Sequence, residues 1–102
     1  MYRYVNLKHK NDFGLVGIAY NDNKDTYRNT LDFSAIFKHD DYYSIVINSL
    51  YVPKTYKEDK IISTIIANMN YGSFEMGGCS IAGNKQQIEL ELQQISGLDI
   101  KF

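Results

Sequence analysis

The sequence predicts an α+β fold: a mainly antiparallel sheet of about six to seven strands with one amphipathic helix, at about 56–70, packed on one face. The first half of the chain contains β-branched and aromatic runs separated by polar turns, which is typical of strands. A block of isoleucines with helical spacing follows. At 44% hydrophobic and 23% charged residues, the composition predicts that residues 1–102 form a single globular domain.

Four strands are predicted in the first half, at 2–8, 13–20, 29–37 and 42–52. Gly14 and Gly17 in the second run indicate a bulge or a close approach of two backbones. The polar stretch 21–25 predicts a turn between the second and third strands. For the third segment a short helix is the alternative, because Leu31, Ala35 and Ile36 also have helical spacing.

The helix at 56–70 is predicted from its apolar stripe and from its expected start. Thr55 and Glu58 have the spacing of a capping box, in which each side chain accepts a hydrogen bond from the other residue's backbone amide. Gly72 follows as a stop signal. The stripe falls within one arc of the helical wheel and consists of Ile61, Ile62, Ile65, Ile66 and Met69.

The last third of the chain is predicted to return to strands. Residues 73–82 form a weak strand, and Gly83-Asn84 has the composition of a hairpin turn. Residues 86–93 alternate Ile and Leu with Glu and Gln, which favours a half-buried strand. A helix over 86–96 is the competing interpretation, because Glu, Leu and Gln are good helix formers and Asn84 and Gly97 are suitable caps. Residues 98–102 alternate again and predict a short terminal strand.

Charge and cysteine content narrow the function classes. The net charge of −1 argues against a dedicated nucleic-acid binder, which needs clustered Lys and Arg to displace counterions from phosphates. Cys79 is the only cysteine, so no internal disulfide forms, and this fits a reducing cytoplasm. The first ten residues lack the apolar core of a secretory signal, and no run approaches the ~20 apolar residues of a membrane span. A cytoplasmic location is therefore expected.

Residues with catalytic potential are few. His39 adjoins Asp40 and Asp41, but on a predicted turn such carboxylates are most simply solvated. The glycine-rich segment around Cys79 lacks the Gly-Lys-Ser/Thr of a phosphate-binding loop and the Gly-x-Ser-x-Gly of a nucleophile elbow, so Cys79 is interpreted as a small buried thiol. No catalytic residue, metal site or cofactor is predicted.

The nine tyrosines, with no tryptophan, give the most informative clue to function. Tyrosine is large and rigid with a polar tip, and it suits a surface that contacts another protein. The leading hypothesis is a small protein-binding module, of the inhibitor or immunity type found in bacteria and phages, that neutralises a toxin or defence protein. One alternative is a self-assembling structural or accessory protein of a phage or mobile element. The other is a small enzyme or a nucleic-acid-binding module. Nucleic-acid binding is considered because Arg3 lies between Tyr2 and Tyr4, an alternation of basic and aromatic residues typical of single-strand binders.

Two groups of residues are predicted to contact the partner. Asp40, Asp41 and Tyr42 share one turn, and Glu89 and Glu91 lie on the outward face of the predicted late strand. Tyrosine supplies contact area at low entropic cost, while the carboxylates steer a protein with a basic surface. Both groups contribute only if they lie on one continuous surface. A homo-oligomer stays an open alternative.

Overall fold

The computed structural model describes residues 2–7, 14–23, 28–70 and 79–102, which form an α+β fold. Its strands are β1 (Tyr2–Asn6), β2 (Leu15–Asn23), β3 (Arg28–Lys38), β4 (Tyr43–Pro53) and β5 (Cys79–Gly83), and its helices are α1 (Glu58–Asn70) and α2 (Lys85–Ser96). The sheet follows the chain in the order β1-β2-β3-β4-β5, and every neighbouring pair is antiparallel. The predicted fold class is confirmed. The strand count was too high, because segments 86–93 and 98–102 are not strands.

Each face of the sheet packs against one helix. On the first face, Ile61, Ile62 and Ile65 of α1 lie in one buried cluster with sheet residues such as Leu31 and Phe33. On the second face, Ile88 and Leu92 of α2 are buried with Ala19, Ile36 and Ile45. The predicted burial of the stripe is therefore confirmed for Ile61, Ile62 and Ile65. Ile66 is partly buried, and the Met69 side chain lies outside the described residues. The prediction of a single helix, which would leave the second face of the sheet without one, was wrong, since α2 covers part of that face.

The segment 86–96 is a helix because local capping and tertiary burial both favour it over alternation. Asn84 Oδ1 accepts from the Gln87 amide at 2.9 Å, and Gln87 Oε1 accepts from the Asn84 amide at 2.8 Å. At the other end Gly97, at φ 73°, donates its amide to the Gln93 carbonyl at 2.8 Å. This reciprocal capping box and left-handed C-cap fix both ends. The predicted strand 86–93 and the hairpin turn at Gly83-Asn84 were wrong.

Helix α1 begins at Glu58, and its start is held by a tertiary contact. The first helical hydrogen bond runs from the Ile61 amide to the Lys57 carbonyl at 2.9 Å, so Thr55 lies in the preceding turn. The Glu58 carboxylate accepts a 2.6 Å hydrogen bond from the Tyr20 hydroxyl on β2. The predicted capping box of Thr55 and Glu58 was wrong, because β2 supplies the partner of Glu58.

Two glycines shape the first half of β2, as the sequence predicted. Gly14 has φ +79°, and a Cβ there would lie 2.5 Å from the Lys38 carbonyl oxygen. The register of β2 against β3 shifts between Leu15 and Gly17, which marks an irregularity of the bulge type. At Gly17 a Cβ would lie 2.5 Å from the Tyr4 hydroxyl. The predicted bulge and close approach are therefore both confirmed.

The C-terminal residues 97–102 form no strand and pack instead beside α2. Ile100 is buried in the cluster of the second face. The rings of Phe102 and Tyr43 lie 5.1 Å apart between centroids and are tilted by 57°. Burial of these apolar side chains holds the segment without sheet hydrogen bonds, so the predicted strand at 98–102 was wrong.

Tyr4 provides a stability prediction. Its hydroxyl is buried and has no hydrogen-bond partner among the described residues, and desolvation raises its pKa. A buried polar group without a partner loses its hydration without compensation. We expect Tyr4→Phe to raise the free energy of unfolding by about 1 kcal/mol, measured by urea denaturation at neutral pH. A loss of similar size would show that the hydroxyl has a partner.

Candidate protein-contact surface

The turn between β3 and β4 presents three of the predicted contact residues on a rigid support. Lys38 at the end of β3 and Tyr43 at the start of β4 form the last pair of the ladder before the turn. Beyond them, the His39 amide donates to the Tyr42 carbonyl at 2.9 Å. The two rings also stack, with centroids 4.3 Å apart and planes 16° from parallel. We call residues 39–42 the hairpin tip.

His39 also fixes the tip to the strand that follows it. Its Nε2 atom lies 2.8 Å from the Ser44 hydroxyl, within hydrogen-bond distance, and Ser44 is buried. The imidazole is therefore held at its edge by Ser44 and covered on one face by Tyr42. This arrangement gives His39 a structural role in ordering the tip.

The side chains of the hairpin tip are accessible. Asp40 and Asp41 are exposed, and Tyr42 retains 47% of its exposure although one ring face lies against His39. Neither carboxylate forms an ion pair within the described residues. The tip thus combines an immobilised aromatic ring with two adjacent negative charges in water. An accessible, pre-ordered aromatic side chain loses little entropy when a partner covers it.

The second predicted group, Glu89 and Glu91, is arranged differently from the prediction. Both lie on α2, where two residues separated by one are about 200° apart around the helix axis. The Glu89 side chain is only 14% exposed and its carboxylate lies 3.6 Å from Lys101 Nζ. The common outward strand face was therefore wrong. Whether either glutamate contacts a partner stays a prediction.

The first turn of α2, and not its glutamates, is the part of that helix nearest to the hairpin tip. It follows β5, which pairs with the start of β4. Gly83 at the end of β5 pairs with Tyr43, the first residue of β4 after the tip. Exposed Asn84 and Lys85 follow directly. The Lys85 Nζ atom lies 6.0 Å from the centroid of the Phe102 ring, within cation–π distance. Tyr42, Tyr43 and Phe102 thus bring three aromatic rings to this end of β4.

The other candidate chemistry of the sequence gains little from the structure. Within the described residues no group of three or more His, Cys, Asp or Glu side chains is placed to hold a metal ion. Cys79 begins β5, while residues 71–78, which include the first part of the strand predicted at 73–82, lie outside the described residues. The interpretation of Cys79 as a buried thiol concerns a side chain outside that description and stays a prediction.

One feature that sequence reasoning missed is a groove between β1 and α1. It has a volume of about 640 Å³, and Val5, Ile62 and Ile66 supply its apolar lining. Its polar rim consists of Lys57, Glu58, Asp59 and Ser63. The alternation in β1 and the helical spacing of α1 identify apolar faces separately. Neither pattern shows that the two faces leave a gap at the sheet edge.

A polar cluster at one end of this groove was also missed. The Tyr20 hydroxyl donates to Glu58, and Arg3 Nη1 lies 3.5 Å from the same carboxylate oxygen. Burial and the hydrogen bond to Glu58 raise the pKa of Tyr20 to about 12. Tyr20 and Glu58 are far apart in sequence, so no local pattern signals their contact. With this raised pKa the Tyr20 phenol stays protonated at neutral pH and keeps donating to Glu58, so the cluster joins β1, β2 and α1.

These observations define a class, an α+β protein with an acidic and aromatic hairpin tip and an open groove at one sheet edge. No helix in the described part of the chain is long and apolar enough to cross a membrane. No protein-family model, no curated protein and no solved structure matches the chain. Its function is therefore inferred from its own surface.

Proposed function

We propose that this chain is a small protein-binding module of the inhibitor or immunity type, which neutralises a macromolecular partner with a basic surface. The observation that carries the proposal is the hairpin tip. Tyr42 is exposed yet stacked on His39, and Asp40 and Asp41 stand beside it in water. A tyrosine held in this way supplies contact area, and adjacent charges steer an oppositely charged protein.

Glu89 and Glu91 belong to the proposal in a reduced role. Glu89 would have to give up its ion pair with Lys101 to reach a partner, whereas Glu91 has no ion pair within the described residues. Both carboxylates still add negative charge to α2, whose first turn lies beside the tip. Such charges act over about 8 Å at physiological ionic strength, so they assist steering without direct contact.

Site-specific photo-crosslinking tests the location of the contact. A benzophenone amino acid replaces Tyr42 in one variant and Tyr51 in a matched control, in cells that hold the native partner. Tyr51 is 73% exposed and stands near the opposite end of β4. We expect one discrete crosslinked protein from position 42 and none from position 51. The same product from both positions would contradict a contact confined to the tip.

The partner identified by crosslinking, once purified in its free form, allows its affinity to be measured by calorimetry and its association rate by stopped-flow mixing. We expect Tyr42→Ala and Asp40→Lys each to weaken binding at least about fivefold, which corresponds to about 1 kcal/mol. Tyr51→Ala should bind like the parent chain, and Glu91→Lys should mainly slow association at low salt. Unchanged affinity in both tip variants, at an unchanged melting temperature, would exclude the hairpin tip as the contact site.

A further inference from the structure

β1 forms one edge of the described sheet, and the hairpin tip lies between β3 and β4. β1 is the first strand of the sheet and pairs only with β2 among the described residues. Its sequence, Tyr-Arg-Tyr-Val-Asn, contains no lysine, proline or glycine. Lysine and proline at a sheet edge discourage pairing with another strand, whereas Arg3, the one charged residue of this short strand, lies 3.5 Å from the Glu58 carboxylate of α1. The opposite edge strand, β5, is composed of Cys, Ser, Ile, Ala and Gly and ends at the capped start of α2.

The hydrogen-bond pattern shows which groups of β1 face outward. The Leu7 amide donates to the Val16 carbonyl at 3.1 Å, in the same register that pairs Val5 with Ile18. In an antiparallel ladder only alternate residues bond to a given neighbour. Arg3 and Val5 therefore bond to β2, as Leu7 does. The amides and carbonyls of Tyr2, Tyr4 and Asn6 point away from β2, towards the position of a further strand.

We propose that a second copy of this chain occupies this edge, so that the two β1 strands pair antiparallel and join the two sheets. A two-fold axis through Tyr4 places Tyr4 opposite its own counterpart and Tyr2 opposite Asn6. This register uses every outward group of β1. An axis through Arg3 would instead place two arginines directly opposite each other, and like charges in that position are unfavourable.

Charge complementarity supports the same register. With the axis at Tyr4, Arg3 of the second copy lies opposite Val5, beside the groove lined by Val5, Ile62 and Ile66. The methylene stem of an arginine can cover such apolar surface while its guanidinium stays polar. The groove rim carries the carboxylates of Glu58 and Asp59 and the ammonium of Lys57, so its charge is net negative and its carboxylates are suitable partners for that guanidinium. Each Arg3 would then lie between Glu58 of its own chain and the acidic rim of the other.

Amide hydrogen exchange of the whole chain, followed by NMR over a hundredfold range of concentration, tests this dimer without a mutation. We expect the Tyr4 and Asn6 amides to be protected at high concentration and to exchange much faster on dilution. The Arg3 and Val5 amides should stay protected throughout, because they bond to β2. Sedimentation equilibrium should show a dimer over the range in which Tyr4 and Asn6 are protected.

A matched pair of variants at an exposed position provides the second arm. Asn6→Pro removes an outward amide that β2 does not use, and Asn6→Ala keeps it. We expect Asn6→Pro to raise the dimer dissociation constant at least about tenfold, since symmetry removes two hydrogen bonds at once. Asn6→Ala should stay within about threefold of the parent chain. If Asn6→Pro does not fold, as judged by its thermal melt, the hydrogen exchange of the parent chain decides.

Three results would overturn the proposal. The first is a chain that stays monomeric at every concentration, which would leave the edge to a strand of another protein. The second is a dimer that dissociates on dilution while the protection of the Tyr4 and Asn6 amides stays the same. The third is a folded Asn6→Pro variant that dimerises as tightly as Asn6→Ala, which would place the interface elsewhere. None of these results bears on the hairpin tip, so the proposed function is tested separately.

Discussion

Leu92→Ala is expected to reduce the free energy of unfolding by about 2–5 kcal/mol, whereas Leu90→Ala should change it by less than about 0.5 kcal/mol. The two residues are of the same type and lie two positions apart on α2. Leu92 is fully buried against the second face of the sheet, and Leu90 is 55% exposed. Removing the buried side chain leaves a cavity that its neighbours fill only in part, whereas the exposed one leaves none.

This pair of variants also separates the two interpretations of residues 86–93. In a strand, Ile88, Leu90 and Leu92 would face the same side, so both substitutions would have similar costs. In a helix, Leu90 is turned about 160° away from Leu92, whereas Ile88 lies on nearly the same side of the helix as Leu92. Urea denaturation of both variants with circular dichroism provides the measurement. Similar losses of stability would contradict the burial of α2 described above.

The case of α2 shows what alternation fails to reveal. The sequence contained both signals, the strand-like alternation of Ile88, Leu90 and Leu92 and the capping residues Asn84 and Gly97. The caps were the better guide, because they satisfy backbone groups that only a helix leaves free. The alternation was misleading because Leu90 was counted as a core residue for being apolar, although its side chain is exposed. An exposed leucine is common on protein surfaces and carries little information.

The first four strands and α1 were predictable from the spacing of their apolar residues, although in β3 the alternation competed with the helical spacing of Leu31, Ala35 and Ile36. The bulge of β2 was predictable as well, since Gly14 and Gly17 are needed where a Cβ would meet Lys38 or Tyr4. The start of α1 was not, because Glu58 is held by Tyr20 from a distant strand and not by its own first turn. Contacts of this kind depend on the packed fold and leave no trace in local sequence.

The candidate protein-contact surface was likewise predictable only in part. Asp40, Asp41 and Tyr42 were predicted to share a turn, and they do so because strongly β-forming runs flank that turn on both sides. The role of His39 was not foreseen, since its stacking on Tyr42 and its contact with Ser44 exist only once the hairpin forms. The grouping with Glu89 and Glu91 rested on the wrong element type. The wrong element type for residues 86–93 therefore misplaced one of the two predicted groups of contact residues.

Stability should fall in the alkaline range because of Tyr20. Its pKa in the folded chain is raised to about 12, first by burial and then by its hydrogen bond to Glu58. A tyrosine of the unfolded chain ionises near 10. The raised folded pKa therefore adds stability that is fully present below pH 10 and is lost as the pH rises towards 12. One such proton changes the free energy of unfolding by at most about 1.4 kcal/mol per pH unit.

Tyr20→Phe isolates this contribution. At pH 7 we expect the variant to be less stable by about 1–3 kcal/mol, since it loses a hydrogen bond to a charged group. Between pH 10 and 12 that difference should shrink, because only the parent chain must keep Tyr20 protonated in order to fold. A smaller alkaline loss remains in the variant, since the pKa values of Tyr2 and Tyr4 are also raised by desolvation. Urea denaturation of both chains at pH 7, 10 and 11 measures the change.

Glu58→Gln is the control that assigns the effect to the cluster of Tyr20, Glu58 and Arg3. It keeps an acceptor for the Tyr20 hydroxyl but removes the negative charge that opposes ionisation of the phenol. We expect its alkaline loss of stability to be smaller than that of the parent chain but larger than that of Tyr20→Phe, since burial of Tyr20 is unchanged. A parent chain and a Tyr20→Phe variant with the same dependence on pH would rule out Tyr20 as the group responsible.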